Sequence, residues 1–217
     1  MKNRPTDLGA TTQDGEAIAE ASLDIVSELV PGETLRDRMR RKAVHATGDP
    51  EFQYLMRFDG NPVRSGAAAV QAGNPFVTDV TMPRHGITDR DHDCGKHTAL
   101  GHGEDLAERE GLTRTEAGVI ALDEQGVFED AIAVIGNAPT AALTLADRIE
   151  AGTRPSVVVA TPVGFIKAAE SRARLREVGS EYGVPTITNV GRRGGSGLAA
   201  ALANELIHVA NEEVIEG

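Results

Sequence analysis

Between residues 131 and 204 the chain repeats one unit three times: a short apolar run without polar alternation, a loop of small residues, and a stretch with helical periodicity. The runs are AIAVI (131–135), PSVVVA (155–160) and PTITNV (185–190), and the loops that follow them are GNAPT (136–140), TPVGFIKAAES (161–171) and GRRGGSG (191–197). Such β-branched runs read as strands buried on both faces, as in a parallel sheet covered by helices. Consecutive strand–loop–helix units connect through right-handed crossovers, so the three loops should leave the sheet along one edge. Ligands of open α/β sheets bind at that edge.

A chain of 217 residues fits one domain with a sizeable core. Residues 1–14 carry no periodicity and read as a flexible N-terminal arm, leaving 15–217 as a single α/β domain. One cysteine, Cys94, excludes an intramolecular disulfide framework. No charged-then-apolar leader opens the chain, and no apolar run approaches the roughly 20 residues of a membrane-spanning helix. The expectation is a soluble, cytoplasmic protein with no membrane partner.

Thirty-three acidic residues face 22 basic ones, a net charge of −11, and only Lys2, Lys42, Lys96 and Lys167 are lysines. An acidic, lysine-poor surface of this kind resembles that of a protein from a high-salt cytoplasm. It also argues against nucleic acid as a partner, because phosphate backbones need a basic face. An anionic ligand would have to be met by local positive groups.

Ahead of the repeated units, GEAIAEASLDIVSELV places Ile18, Leu23, Ile25, Val26, Leu29 and Val30 mostly on one side of a helix that Pro31-Gly32 ends. A second helix starts near Glu33-Thr34 and runs to Gly48, a natural left-handed cap, with a polar face crowded by arginine. EFQYLMRF reads as a short strand or turn, AAAVQAG as a small helix, PFVTDV (75–80) as the first strand of the sheet and TMPRHGI (81–87) as the loop leaving it. Residues 88–113 resist assignment apart from a short helix at EDLAEREG; Thr113 to Ala117 reads as a cap for the next helix, and LDEQGVFED as a loop.

VHATGD (44–49) sets His45 in the last turn of the arginine-rich helix. The negative end of the helix dipole favours imidazolium, raising its pKa toward a value suited to donating a proton, or simply placing a histidine where it complements the dipole. GRRGGSG offers backbone N–H groups at a helix start beside Arg192 and Arg193, an anion-binding arrangement, or else a turn that needs glycine. Its spacing is neither GxGxxG nor a Walker loop. Asn137 ends a strand, with Pro139 in the first helical turn; Lys167, Glu170 and Ser171 read as solvated helix faces. His92, Cys94, His97 and His102 cluster within eleven residues without the spacing of a zinc site, so no metal is assigned. No serine stands in GxSxG.

Taken in order, VHATGD, TDVTM followed by GIT, TRTEA, VIGNAPTA, PVGFIKAAES and GRRGGSGLAAALAN resemble the precorrin-8X methylmutase family of cobalamin biosynthesis, over residues 44–204. The resemblance implies a three-layer α/β/α flavodoxin-like fold with a mainly parallel sheet, and a homodimer. It also implies an isomerase that moves a methyl group from ring carbon 11 to ring carbon 12 of precorrin-8X or cobalt-precorrin-8, giving hydrogenobyrinic or cobyrinic acid. No external cofactor is implied. The family's catalytic histidine maps onto His45, as the acid that protonates the macrocycle. Its substrate-contacting serine maps onto Ser22, where Leu23 replaces the family's aromatic residue. Arg114 in TRTEA matches the arginine of the family's TR motif, although Thr115 and Glu116 stand where alanines are common.

The implied substrate is a flat tetrapyrrole edged with carboxylates. The helix starts after GNAPT, PVGF and GRRGGS, with Asn137, Arg114, Arg192, Arg193, Gly194, Gly195 and Ser196, are the expected receivers of those carboxylates. A methyl shift within one molecule needs one well-placed proton and a rigid hold on the ring. Two other readings carry the same loops: a non-catalytic corrinoid carrier handing its ligand to the next pathway enzyme, and a nucleotide-binding α/β protein using GRRGGSG for phosphate. The salt-adapted composition favours the cobalt-bearing ring, with His85, His92 and Cys94 as candidate neighbours of its metal.

Overall fold

The computed structural model describes residues 12–212. In chain order the elements are α1 (Gln13–Leu29), α2 (Leu35–Thr47), α3 (Phe52–Leu55), β1 (Met56–Asp59), α4 (Pro62–Gln71), β2 (Phe76–Thr78), α5 (Thr81–Gly86) and β3 (Lys96–Thr98). They continue as α6 (Glu104–Glu110), α7 (Arg114–Glu124), β4 (Ile132–Ile135), α8 (Pro139–Ala151), β5 (Val157–Ala160), α9 (Ala168–Tyr182), β6 (Thr186–Asn189) and α10 (Ser196–Asn211).

The six strands form one sheet in the order β1-β6-β5-β4-β2-β3. All neighbours are parallel except β1, which runs antiparallel to β6 with Met56 opposite Asn189 and Asp59 opposite Thr186. Leaving β1 aside, the strand order is that of flavodoxin, and its direction reverses between β2 and β4. The expected fold is therefore present, with the three repeated units as β4-α8, β5-α9 and β6-α10.

Alternation along the buried strands sorts the core into two layers. Ile132, Val134, Val157, Val159 and Ile187 pack with α2, α4 and α10, whereas Ala133, Ile135, Val158 and Ala160 pack with α7, α8 and α9. Covering both faces explains the absence of polar alternation in these runs.

Local chemistry sets the helix ends. Thr34 and Asp37 form a reciprocal capping box at the start of α2, and Gly48 closes it with φ 65°. Thr113 and Glu116 do the same for α7, so the glutamate that departs from the family's alanine has a structural use. Pro139 opens α8, where its missing N–H costs nothing.

Several expectations need correction. TMPRHGI is mostly helix: the α5 turn follows Val80 despite Pro83, because proline is harmless near a helix start. EFQYLMRF divides into the single turn α3 and the antiparallel strand β1. The polar triplet Lys96–Thr98 is an edge strand, where only one side of the backbone needs a partner. The arm expected over 1–14 gives way at Thr12, which caps α1; residues 1–11 lie outside the described residues. LDEQGVFED begins inside α7, which runs through Glu124.

Arg36 of α2 is exposed, but Arg38, Arg41 and Lys42 are buried. Arg38 is fully buried and ion-paired to Glu205 of α10 and to Glu212, and Lys42 lies 3.4 Å from Glu205. Arg41 donates to the carbonyls of Val30, at 2.8 Å, and Gly32. These cations fasten α2 to α10 and to the α1–α2 turn.

Candidate active site

Ser22 of α1 and His45 of α2 meet through a hydrogen bond, Oγ to Nδ1, of 3.1 Å. Val26, Val30, Met39, Ala43 and Val44 belong to one apolar cluster that helps hold the two helices together. With Nδ1 engaged, Nε2 is the ring nitrogen left for a ligand.

The electrostatics of His45 differ from the expectation. Burial disfavours the charged ring, and the positive charge of Lys42 one turn earlier adds to it, so the imidazole is held below its usual pKa.

One residue beyond His45 a cleft of about 460 Å³ opens. Ala46, Thr47, Asp49 and Phe52 form one wall, and Val163, Arg193, Gly194, Gly197 and Leu198 the other. The C-terminal end of α2 therefore faces the loops after β5 and β6, bringing the N-terminal helices to the predicted edge of the sheet.

Arg193 bridges the two walls. Its guanidinium lies 2.5 Å from Asp49 and 2.6 Å from Glu51 and sits over the Phe52 ring, 5.7 Å from its centroid. Its charge is already countered, which revises its expected role as a receiver of ligand carboxylates. Arg192 is exposed, stacked over the Phe165 ring at 5.3 Å. Phe165 and Ile166, 87% and 80% exposed, stand at the tip of their loop.

The loop after β6 is shaped by close approach. Gly194 has φ 152°, and a Cβ there would strike the carbonyl of Thr161, whose oxygen also accepts from Gly195 N–H at 2.6 Å. Ser196, the first residue of α10, is buried, and a Cβ on Gly136 would come within 2.7 Å of its Cα. Glycine at 136 thus lets β4 end against the start of α10.

The helix start after GNAPT is not open to a ligand. The buried carboxylate of Asp79, just past β2, accepts from the N–H groups of Gly136 (3.0 Å), Asn137 (2.7 Å) and Ala138 (2.6 Å). Burial pushes its pKa up while those amides pull it down. The crevice where strand order reverses, the usual nucleotide position in this topology, is filled by the protein's own anion. The nucleotide reading loses that position.

Asn137 itself is exposed, as is Arg114 at the start of α7. Hydroxyl contacts from Thr140 to Thr113 (3.0 Å) and Thr115 (3.3 Å) draw the starts of α7 and α8 together. Arg114 and Asn137 therefore stand on neighbouring helix starts, but neither lines the cleft beside His45. In the loop after β5, Lys167 is exposed with φ 61° at the start of α9, and Glu170 is exposed; Ser171, expected on a solvated face, is buried and donates to Ala168 O.

In the histidine-bearing stretch His92 and Cys94 are tied up internally, whereas His97 and His102 are exposed. His92 bonds Thr88 O through Nε2 (2.8 Å), accepts Cys94 N–H at Nδ1 (3.0 Å) and packs edge-on against Phe76. Cys94 is buried, and His85 Nδ1 contacts Thr81 O at 2.9 Å. Among the described residues no three His, Cys, Asp or Glu side chains are grouped to hold a metal. No helix among them is long and apolar enough to cross a membrane.

Asp79 and Asp49 stand inside the quoted motifs TDVTM and VHATGD without having been singled out, because their partners at 136–138 and at Arg193 are distant in sequence. Lys42 was likewise missed, although it lies one turn before His45.

Comparison with known proteins gives a consistent result. The family model described as precorrin-8X methylmutase matches residues 17–209. A cobalt-precorrin-8 methylmutase of Methanocaldococcus jannaschii is 35% identical over 220 residues, spanning 95% of this chain and 99% of its own length. A precorrin-8X methylmutase of Pseudomonas aeruginosa is 32% identical over 203 residues, spanning 89% and 95%. The crystal structure of precorrin-8X methylmutase from Thermus thermophilus superposes with a TM-score of 0.80 at 35% identity, covering 89% of this chain and 97% of that one.

Proposed function

Given that the chain belongs to the precorrin-8X methylmutase family, isomerases of cobalamin biosynthesis that shift a methyl group on a corrinoid tetrapyrrole, we propose that His45 is the acid of the reaction and that the methyl moves from ring carbon 11 to ring carbon 12. The observation that supports this reading is the Ser22–His45 hydrogen bond, with Ala46 and Thr47, the residues that follow His45, lining the cleft. Ser22 fixes the ring through Nδ1, and Nε2 carries the proton to the macrocycle. In the free enzyme burial and Lys42 disfavour the charged imidazole. A carboxylate-fringed ring arriving beside it favours the charged form, so the substrate itself helps to load the acid.

Arg192, Arg114, Asn137 and the loop Gly194-Gly195-Ser196 meet the carboxylates, while Arg193 braces the two walls through Asp49 and Glu51. Short charge-assisted contacts suit this task in a chain of net charge −11, because salt screens the long-range field. Cobalt-precorrin-8 is the proposed form of the substrate, in line with the name of the Methanocaldococcus jannaschii relative. The cytoplasm is the proposed location.

A homodimer is proposed as well. Ile18, Ile25 and Leu29 share one face of α1 and are exposed, on the helix that supplies Ser22. Replacing all three by serine should turn a dimer into a monomer by light scattering; a wild-type monomer would exclude the assembly.

The function is tested by incubating the protein with precorrin-8X and with cobalt-precorrin-8. Mass-neutral conversion with a changed visible spectrum is expected, faster for the cobalt form, and lost in His45→Ala while binding persists. Binding without any spectral change would instead identify a carrier.

A further inference from the structure

Two arginines are fully buried, and they are treated differently. Arg38 is ion-paired to Glu205 and Glu212. Arg172, on α9, makes all its hydrogen bonds to neutral oxygens: Nε to Ala168 O (3.0 Å), Nη1 to Asn189 Oδ1 (2.6 Å) and Arg193 O (2.8 Å), and Nη2 to Gly191 O. The nearby Glu170 is exposed and acts through space, against the repulsion of Arg176. A buried cation without a carboxylate partner is costly, and removing its partners would be more so.

Three of its four acceptors lie between residues 189 and 193, directly before the glycine pair that opens α10. Asn189 completes the clamp, its Nδ2 donating to Arg193 O at 2.7 Å. Among the described residues every peptide bond is trans, so the N–H following each carbonyl points the opposite way. With Gly191 O and Arg193 O turned in toward Arg172, the N–H groups of Arg192 and Gly194 turn outward, and Gly194 lines the cleft beside His45. Neither N–H has a protein acceptor among the described residues.

We propose that Arg172 is the positioning residue of the substrate site, shaping the 191–194 loop from beneath and placing a permanent positive charge behind the outward amides that receive one substrate carboxylate. It touches no substrate. The missing counter-ion is supplied when the ligand binds, which is why the chain can keep this guanidinium without a carboxylate of its own. Burial and Arg176 push the Arg172 pKa down to about 10, which still leaves it charged at neutral pH. This inference rests on the corrinoid reading above.

The test uses the full-length protein and two variants, with binding followed by visible titration of the free-acid corrinoid and of the same ring with its acetates converted to amides. Arg172→Met removes the charge and the clamp. Asn189→Asp keeps an Oδ1 acceptor but pairs the guanidinium with a carboxylate, and stands in should Arg172→Met fail to fold. In both, KM for the natural substrate should rise about tenfold with kcat within about twofold, and the wild-type preference for the free acid over the amide should collapse toward one. Arg172→Lys should recover part of the preference. If the variants keep the wild-type preference, or lose both ligands equally, the positioning role is wrong. If wild type itself converts no corrin, the functional reading falls and takes this one with it.

Discussion

Oγ of Ser22 and Nδ1 of His45 lie 3.1 Å apart across two helices that share an apolar seam. Removing the hydroxyl leaves the ring without that orienting partner. Ser22→Ala should therefore lower kcat by roughly tenfold, whereas His45→Ala should lower it by about a hundredfold or more, within the range of a lost general acid. Single-turnover conversion with pre-bound substrate measures both. Equal rates in Ser22→Ala and wild type would remove Ser22 from the machinery.

The depressed pKa of His45 has a defined sign for stability. Between its folded value and about 6.5 the unfolded chain binds a proton that the folded chain does not, so stability rises with pH through that window and is lost as pH falls through it. His45→Gln should abolish this share of the acid-side loss, read as a smaller gap between melting temperatures at about pH 5 and about pH 7.5. An unchanged gap would mean that the ring is not held below its ordinary pKa. In catalysis, kcat/KM should fall as pH rises through the free-enzyme value, and kcat should fall at a higher pH because bound carboxylates favour the imidazolium.

Asp79 satisfies three amide donors at the start of α8. Asp79→Ala orphans all of them, at about 1–3 kcal/mol for each buried donor left unpaired, so a total loss of about 3 kcal/mol or more is expected in urea melts. A midpoint equal to that of wild type would show that water takes over the donors.

Glu205 holds Arg38 and Lys42 beneath the active-site helix. Glu205→Ala leaves those charges buried without it and should cost about 3–5 kcal/mol. It should also deepen the depression of the His45 pKa, since the Lys42 charge is then less compensated. NMR titration of the imidazole reads this, and an upward shift would contradict the proposed coupling.

Much of the scaffold was legible because the relevant information is local. The runs at 131–135, 155–160 and 185–190 gave β4, β5 and β6, and Thr34, Gly48 and Pro139 marked their helix ends. Lys96–Thr98 escaped because a polar edge strand has no pattern distinguishing it from a loop. Asp79 and Arg172 escaped for another reason: a carboxylate capping a helix 58 residues away, or a guanidinium gathering carbonyls from the next loop, leaves no periodic trace. The polar face of α2 gave no sign that Arg38 is buried, because its counter-charges lie more than 160 residues downstream. His45 was found by its resemblance, and the sign of its pKa shift needed the position of Lys42 and the degree of burial.

The pairing of Arg193 with Asp49 and Glu51 sets a schedule for the chain. His45 is synthesised early, yet the opposite wall of its cleft and the helix that anchors its own are synthesised last. No N-terminal fragment can place the proposed acid, His45, against the loops, so a nascent or truncated polypeptide carries that histidine without the opposite wall of the cleft. Activity consequently reports completion of the fold, and loss of α10 should silence the enzyme even though every residue of the Ser22–His45 pair remains.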